Sequence, residues 1–172
     1  MKPKRHLQGK TDYRKRLAFV KAKKPRLVVR ISSNELSAQI IEYFPGGDKT
    51  VVSATTKELA KLGYTGGRKN IPAAYLLGLL IAKKAKEKKI SKVTPDIGFP
   101  SPIKGSRIFA VLYGARESGL EQSIDNKIAP DIKRLHGEHI VAYSKKESSR
   151  FSHSQENLSQ NIEITKKQLI GK

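Results

Sequence analysis

From Arg26 the chain alternates. Leu27, Val29 and Ile31 are interleaved with Val28, Arg30 and Ser32, the two-residue period of a strand with one buried face. Leu36 to Tyr43 and Thr50 to Thr55 are two further strand-like runs. Pro45-Gly46-Gly47-Asp48 separates them and reads as a hairpin turn, because glycine supplies the positive φ such turns demand. Ser33-Asn34 is the turn before the second run. Short turns between successive strands predict an antiparallel meander, with Arg30, Ser32, Gln39 and Ser53 on its polar face.

After Thr55 the period changes. Thr56 to Leu62 predicts a short helix stopped by Gly63, and a polar loop then runs from Gly63 to Asn70. Asn70 caps the main helix, Pro72 lies in its first turn, and Ala73 to Lys86 carries it on. Its front half (Leu76, Leu77, Leu79, Leu80, Ile81) is apolar nearly all round and is expected to be buried; its Lys-rich back half is expected to be solvated. Lys92 to Ile97 reads as a strand that Pro95 confines to an edge or an early end, and Gly98 to Pro102 is loop. Ser106 caps a second helix reaching Ser118, with Ile108, Phe109, Val111, Leu112 and Ala115 inward and Gly119 as its stop. The order implies an α/β fold: a mixed sheet containing a three-stranded antiparallel meander, with helices packed on it. Residues 121–135 read as irregular, and His139 to Tyr143 is a last short apolar run.

The two ends differ from this body. Thr11 or Asp12 caps a short helix with Leu17 and Val20 on one face, ended by Pro25. Beyond Ser144 the chain is rich in Ser, Lys, Gln and Asn, with Ile162, Ile164, Leu169 and Ile170 thinly spread. Such a tail is expected to be disordered alone and helical only when docked. Three regions result: a basic arm at 1–25, a globular α/β domain at 26–143 and a polar tail at 144–172.

Charge changes the picture most. The 172 residues carry 35 Lys+Arg against 15 Asp+Glu, a formal net charge of +20. Twelve of those cations fall in the first thirty positions, where Asp12 is the one acid. A basic arm feeding a β-rich body points to a polyanionic partner, with RNA foremost, and affinity should fall steeply with salt. The arm is expected to be largely disordered in the free chain, since its charge opposes compaction. A solubilising tail or a membrane-surface helix is the competing reading of composition alone. Cysteine is absent, which excludes disulfides, thiolate catalysis and Cys-ligated zinc. The N-terminus is too polar for a secretory signal, and the apolar stretch Ala73 to Ala82 is about half of the ~20 residues a spanning helix needs. A soluble cytoplasmic protein is expected, with no cofactor, no membrane partner and no homo-oligomer.

The candidate contact residues follow from chemistry. Arg5, Lys10, Arg14, Lys15, Arg16, Lys21, Lys23 and Lys24 can meet successive phosphates. Tyr13 can stack on a base or pack on the core; both readings stand. Arg26 and Arg30 flank a strand, and Gln39 shares the polar sheet face. Arg68, Lys69 and Asn70 follow Gly66-Gly67 at a helix start, which suits either a phosphate cradle or a simple flexible turn. Lys104, Ser106 and Arg107 repeat that logic at the second helix. The loop lacks Walker A spacing, so nucleotide hydrolysis is unsupported. His136-Gly-Glu-His139 lacks a third ligand and reads as a structural pin against the core or RNA. Metal-dependent cleavage needs converging carboxylates, and Glu42 and Asp96 are too few.

Six blocks then occur in order: Gly9 to Leu17, Lys24 to Arg30, Ser37 to Ile41, Asn70 to Leu80, Lys104 to Ala110 and Gly137 to Ile140. The series resembles large-subunit ribosomal protein eighteen, the family that docks 5S ribosomal RNA into the central protuberance. The Thr11-Asp12-Tyr13 and Gly137-Glu-His-Ile140 blocks resemble its archaeal branch. The resemblance implies a sheet related to the ribonuclease-H-like motif and an architectural, non-enzymatic role. It also implies contacts with 5S ribosomal RNA, the large ribosomal RNA and neighbouring ribosomal proteins. The turn after the first strand departs from the family, with Asn34-Glu35 where members often carry basic residues. A non-specific RNA- or DNA-binding chaperone or compacting protein is the alternative function.

Overall fold

The computed structural model describes residues 4–8, 11–98, 101–146 and 157–171. A single helical turn, α1 (Lys4–Leu7), and the arm helix α2 (Tyr13–Ala22) precede the sheet. The sheet contains β1 (Arg26–Ile31), β2 (Leu36–Glu42), β3 (Lys49–Thr55) and the short β4 (Thr94–Asp96), in the order β3-β2-β1-β4. β1, β2 and β3 form the expected antiparallel meander. β4 pairs parallel with β1 at the edge, where the missing N–H of Pro95 is tolerated. Register aligns Val28 with Gln39, Gln39 with Ser53, Arg30 with Ser37, and Val28 with Asp96. Arg26, Arg30, Gln39, Ser53 and Asp96 therefore share one outer face. Leu27, Val29, Leu36, Ala38, Ile40, Val52 and Ala54 are buried on the other.

Helices cover that apolar face. A 3-10 turn over Thr56–Leu62 opens on a Thr55–Glu58 capping box and ends at Gly63, with φ +83°. The central helix α3 (Ile71–Glu87) starts at Asn70, whose side chain accepts from the Ala73 N–H at 2.8 Å. It packs on β2 and β3 and against α4 (Arg107–Glu117). The two helices meet backbone to backbone at glycines. A Cβ on Gly78 would lie 2.1 Å from the Val111 carbonyl oxygen, and one on Gly114 would lie 2.3 Å from that of Tyr75.

The polar tail is helical and docked where it is described, and residues 147–156 and 172 of it lie outside the described residues. His139 to Tyr143 lies within a helix, α6 (Glu138–Lys146), after the single turn α5 (Ile132–Leu135). Residues Leu158–Ile170 form α7, which packs on α3 and the 3-10 turn. Its buried positions, Leu158, Ile162, Thr165 and Leu169, recur at helical spacing, whereas Ile164 and Ile170 are exposed. Gly137 passes close beneath this stripe: a Cβ there would lie 3.3 Å from both Leu158 and Ile162. Beside it, the Ser159 hydroxyl donates to the His136 carbonyl at 3.1 Å. The Lys166 ammonium bonds Glu117 at 2.7 Å and sits over the Tyr75 ring.

Candidate nucleic-acid interface

Asp12, rather than Thr11, caps α2: its Oδ1 accepts from the backbone N–H groups of Arg14 and Lys15 at 3.0 and 3.3 Å. No residue of this helix is fully buried, and of the two residues read onto one face Val20 is half-buried whereas Leu17 is exposed. The half-buried positions are Arg16, Phe19 and Val20, together with the Asp12 cap. That face combines the apolar Phe19 and Val20 with an ion pair made by Arg16. The Arg16 guanidinium reaches Asp48 in the β2–β3 hairpin at 3.1 Å, and the Lys15 ammonium donates to the Gly98 carbonyl at 3.5 Å.

Those contacts join a small charge network. Asp48 also pairs with Arg26. Arg26 in turn reaches Asp96 at 3.5 Å, and Arg30 reaches the same carboxylate at 3.5 Å. The Gly98 N–H donates to Asp96 at 2.9 Å, and Arg30 donates to the Val29 and Asp96 carbonyls at 2.8 and 3.1 Å. Three arginines thus share two carboxylates on the outer sheet face, leaving a cationic surplus. Arg26 is an internal bracket with its side chain 16% exposed, whereas the Arg30 side chain is 49% exposed and faces outward. Gln39 is half-buried on that face.

Around this network Arg14, Lys15, Lys21, Lys23 and Lys24 are exposed. Arg5 is exposed and donates to the Thr11 hydroxyl at 3.2 Å, and Tyr13 is 39% exposed. Lys10 lies outside the described residues.

The second group of candidates sits at the N-termini of α3 and α4. Their two loops touch, because Arg107 donates to the Lys69 carbonyl at 3.3 Å. The Lys69 ammonium donates to the Ser33 carbonyl at 3.1 Å, tying the first loop to the turn after β1. Asn70 Oδ1 is fully occupied by Ala73 and by the Tyr64 hydroxyl at 2.9 Å. Burial pushes the Tyr64 phenol well above its ordinary pKa, so the hydroxyl remains a donor at any physiological pH. Gly66 is packed rather than open: a Cβ there would lie 2.4 Å from that hydroxyl and 2.7 Å from Leu158. Ser106 caps α4 by position without a side-chain hydrogen bond. Arg68 and Lys104 are exposed beside these loops.

Asp48 and Asp96 are the organisers that the sequence did not disclose, since their partnership depends on register. Tyr43 and Phe44 are exposed at the end of β2, directly before Pro45. The carboxylates considered for cleavage do not converge. Asp96 is buried among arginines, while Glu42 lies opposite Lys49 and alternates onto the other sheet side. Among the described residues no three His, Asp or Glu side chains are placed to hold a metal ion, and no helix is long and apolar enough to cross a membrane.

A cationic helix laid across a mixed sheet describes a binding protein of structural type. Residues 1–94 match the family model described as ribosomal large subunit proteins 60S L5 and 50S L18. Over 140 residues, 81% of the chain, it is 45% identical to large ribosomal subunit protein uL18 of Methanobrevibacter smithii, covering 72% of that protein. Aligned over its whole length, it is 43% identical to large ribosomal subunit protein uL18 of Caldivirga maquilingensis, covering 90% of that protein. The chain belongs to the uL18 family of large-subunit ribosomal proteins. Its role is accordingly structural, within the ribosome in the cytoplasm and in association with ribosomal RNA and ribosomal proteins, and it is not an enzyme.

Proposed function

We propose that this chain binds 5S ribosomal RNA and helps attach it to the large ribosomal RNA in the central protuberance. The observation that supports the reading is the Arg16–Asp48 pair that ties α2 to the β2–β3 hairpin while Arg14, Lys21, Lys23 and Lys24 stay exposed. In this reading the arm, 1–25, supplies most phosphate contacts, with Arg5 and Lys10 extending them and Tyr13 beside them. Lys15, Arg16, Arg30 and Gln39 complete the face, with Arg26 bracketed between Asp48 and Asp96, the carboxylates that hold the arginines in place. Arg68, Lys69 and Lys104 give a second contact at the paired helix starts, with Asn70, Ser106 and Arg107 shaping the backbone there.

Competition binding tests it. The full chain is titrated with 5S RNA, an unrelated RNA hairpin and duplex DNA over a KCl series. Preference for 5S RNA is expected, with affinity falling by orders of magnitude between low and moderate salt. Arg14→Gln, Lys21→Gln, Lys23→Gln and Lys24→Gln together should flatten the log–log salt slope by about 3, at ~0.7–0.9 per lost phosphate contact. Equal binding to all three ligands would favour a non-specific compacting protein, and a salt-insensitive complex would overturn the electrostatic account.

A further inference from the structure

Two aromatic side chains stand where a soluble surface would ordinarily avoid them. Tyr43 and Phe44, at the end of β2, are each 51% exposed. They are not on a loose loop. The Gly47 N–H closes the turn onto the Phe44 carbonyl at 3.0 Å, and Asp48, next in the chain, is held by Arg16 and Arg26. The hairpin tip is therefore clamped to the arm helix. Tyr43 borders a shallow recess shared with Arg16, Phe19, Lys24, Arg26 and Asp48, the acid that pairs both arginines.

This juxtaposition has a chemical meaning. A nucleotide offers a flat π face beside an anionic phosphate, and the tip offers the Tyr43 ring beside the exposed Lys24 ammonium and the Asp48-paired Arg16, with the Phe44 ring next in the chain. A protein partner would have to present acids to the same cations, whereas a nucleic acid carries its charge at every residue. We propose that Tyr43 and Phe44 form a stacking platform for an unpaired RNA base, next to the phosphates met by α2. The inference rests on the RNA-binding reading above and adds to it a site for single-stranded, sequence-tolerant contact.

Stacking and ion pairing differ in their salt signature, because a stacked base releases no counterions. In the full chain, Tyr43→Leu with Phe44→Leu keeps apolar bulk and removes both rings. Its affinity for 5S RNA should fall by about tenfold or more with the salt slope unchanged. The chain contains no tryptophan, so Phe44→Trp places a single reporter at the tip. Its fluorescence should be quenched by 5S RNA and by a single-stranded oligoribonucleotide, and much less by duplex RNA of the same composition. Unchanged affinity of the double leucine variant overturns the platform and leaves the tip to a protein neighbour. Weakened binding with an unquenched tryptophan overturns it too, since the tip then supplies shape alone. Circular dichroism and thermal melting of each variant separate these outcomes from misfolding. Should the unaltered chain show no preference for 5S RNA, the parent reading fails, while quenching by the single-stranded oligomer still decides the platform.

Discussion

Asp96 is an acid at the centre of a cationic face, and its position is what makes that face rigid. It is buried, it bonds the Gly98 N–H, and it balances Arg26 and Arg30 together. Removing the charge leaves Arg26 with Asp48 alone, itself shared with Arg16, and leaves Arg30 with the Val29 and Asp96 carbonyls. Breaking a buried ion pair typically costs about 3–5 kcal/mol, because the surviving charge stays desolvated. Here the Arg30 side chain is half exposed and can turn to water, which reduces the cost. Asp96→Asn should therefore destabilise the free protein by about 2 kcal/mol, read from urea unfolding at neutral pH. The same variant adds one net positive charge, so its affinity for RNA should not fall in proportion. A variant as stable as the parent would mean that the arginines already find sufficient solvent.

The crossing of α3 and α4 depends on two glycines in helix interiors, where glycine is intrinsically poor. Gly78→Ala would gain about 1 kcal/mol of helix propensity in isolation. The added carbon would lie 2.1 Å from a backbone oxygen and 2.8 Å from a backbone nitrogen, neither of which can rotate away. Prising the helices apart is overpacking of the core, at about 1–3 kcal/mol or more, with further loss where the buried faces separate. A net loss of about 2 kcal/mol and a melting point lower by roughly 4–8 °C are expected. Gly46→Ala, in a hairpin position with nothing within 4 Å, is the neutral control. This crossing was illegible in the sequence because it is a relation between two helices, each of which reads as complete alone. Elements with a local cause were legible. Leu27 and Val29 announce a strand by alternation, Asn70 with Pro72 announces the start of α3, and Gly119 announces the end of α4. α7 was not, since one buried stripe of Leu158, Ile162, Thr165 and Leu169 in a polar segment looks like sparse apolar noise until α3 is there to receive it. The site divides in the same way. The arm's charge was visible at once, but the grouping of Asp48 and Asp96 around Arg26 depends on strand register, which alternation alone leaves open.

At the scale of the molecule, two electrostatic effects oppose each other and salt separates them. The chain holds 20 more cations than acids, so the free folded protein is under self-repulsion. The Asp48 and Asp96 pairs offset part of it locally, but they are close, partly buried contacts that salt screens poorly. The distant like-charge repulsions are the ones that screening removes, as the Debye length shrinks from about 10 Å at 0.1 M to about 3 Å at 1 M. Adding KCl should therefore raise the melting temperature of the free protein. The complex should behave in the opposite way. Bound RNA stabilises the fold with the logarithm of its affinity, and that affinity falls with salt through counterion recapture. The expected result is a sign reversal: melting temperature rises with KCl in the protein alone and falls with KCl when RNA is present in excess. Thermal scans at four or five KCl concentrations, with and without RNA, measure both slopes on the same preparation. A free protein whose melting temperature drops with salt would show that the Arg–Asp network outweighs the global repulsion. The surplus charge would then be distributed so that the fold itself scarcely feels it, and the arm's cations would be held for a partner at little cost in stability.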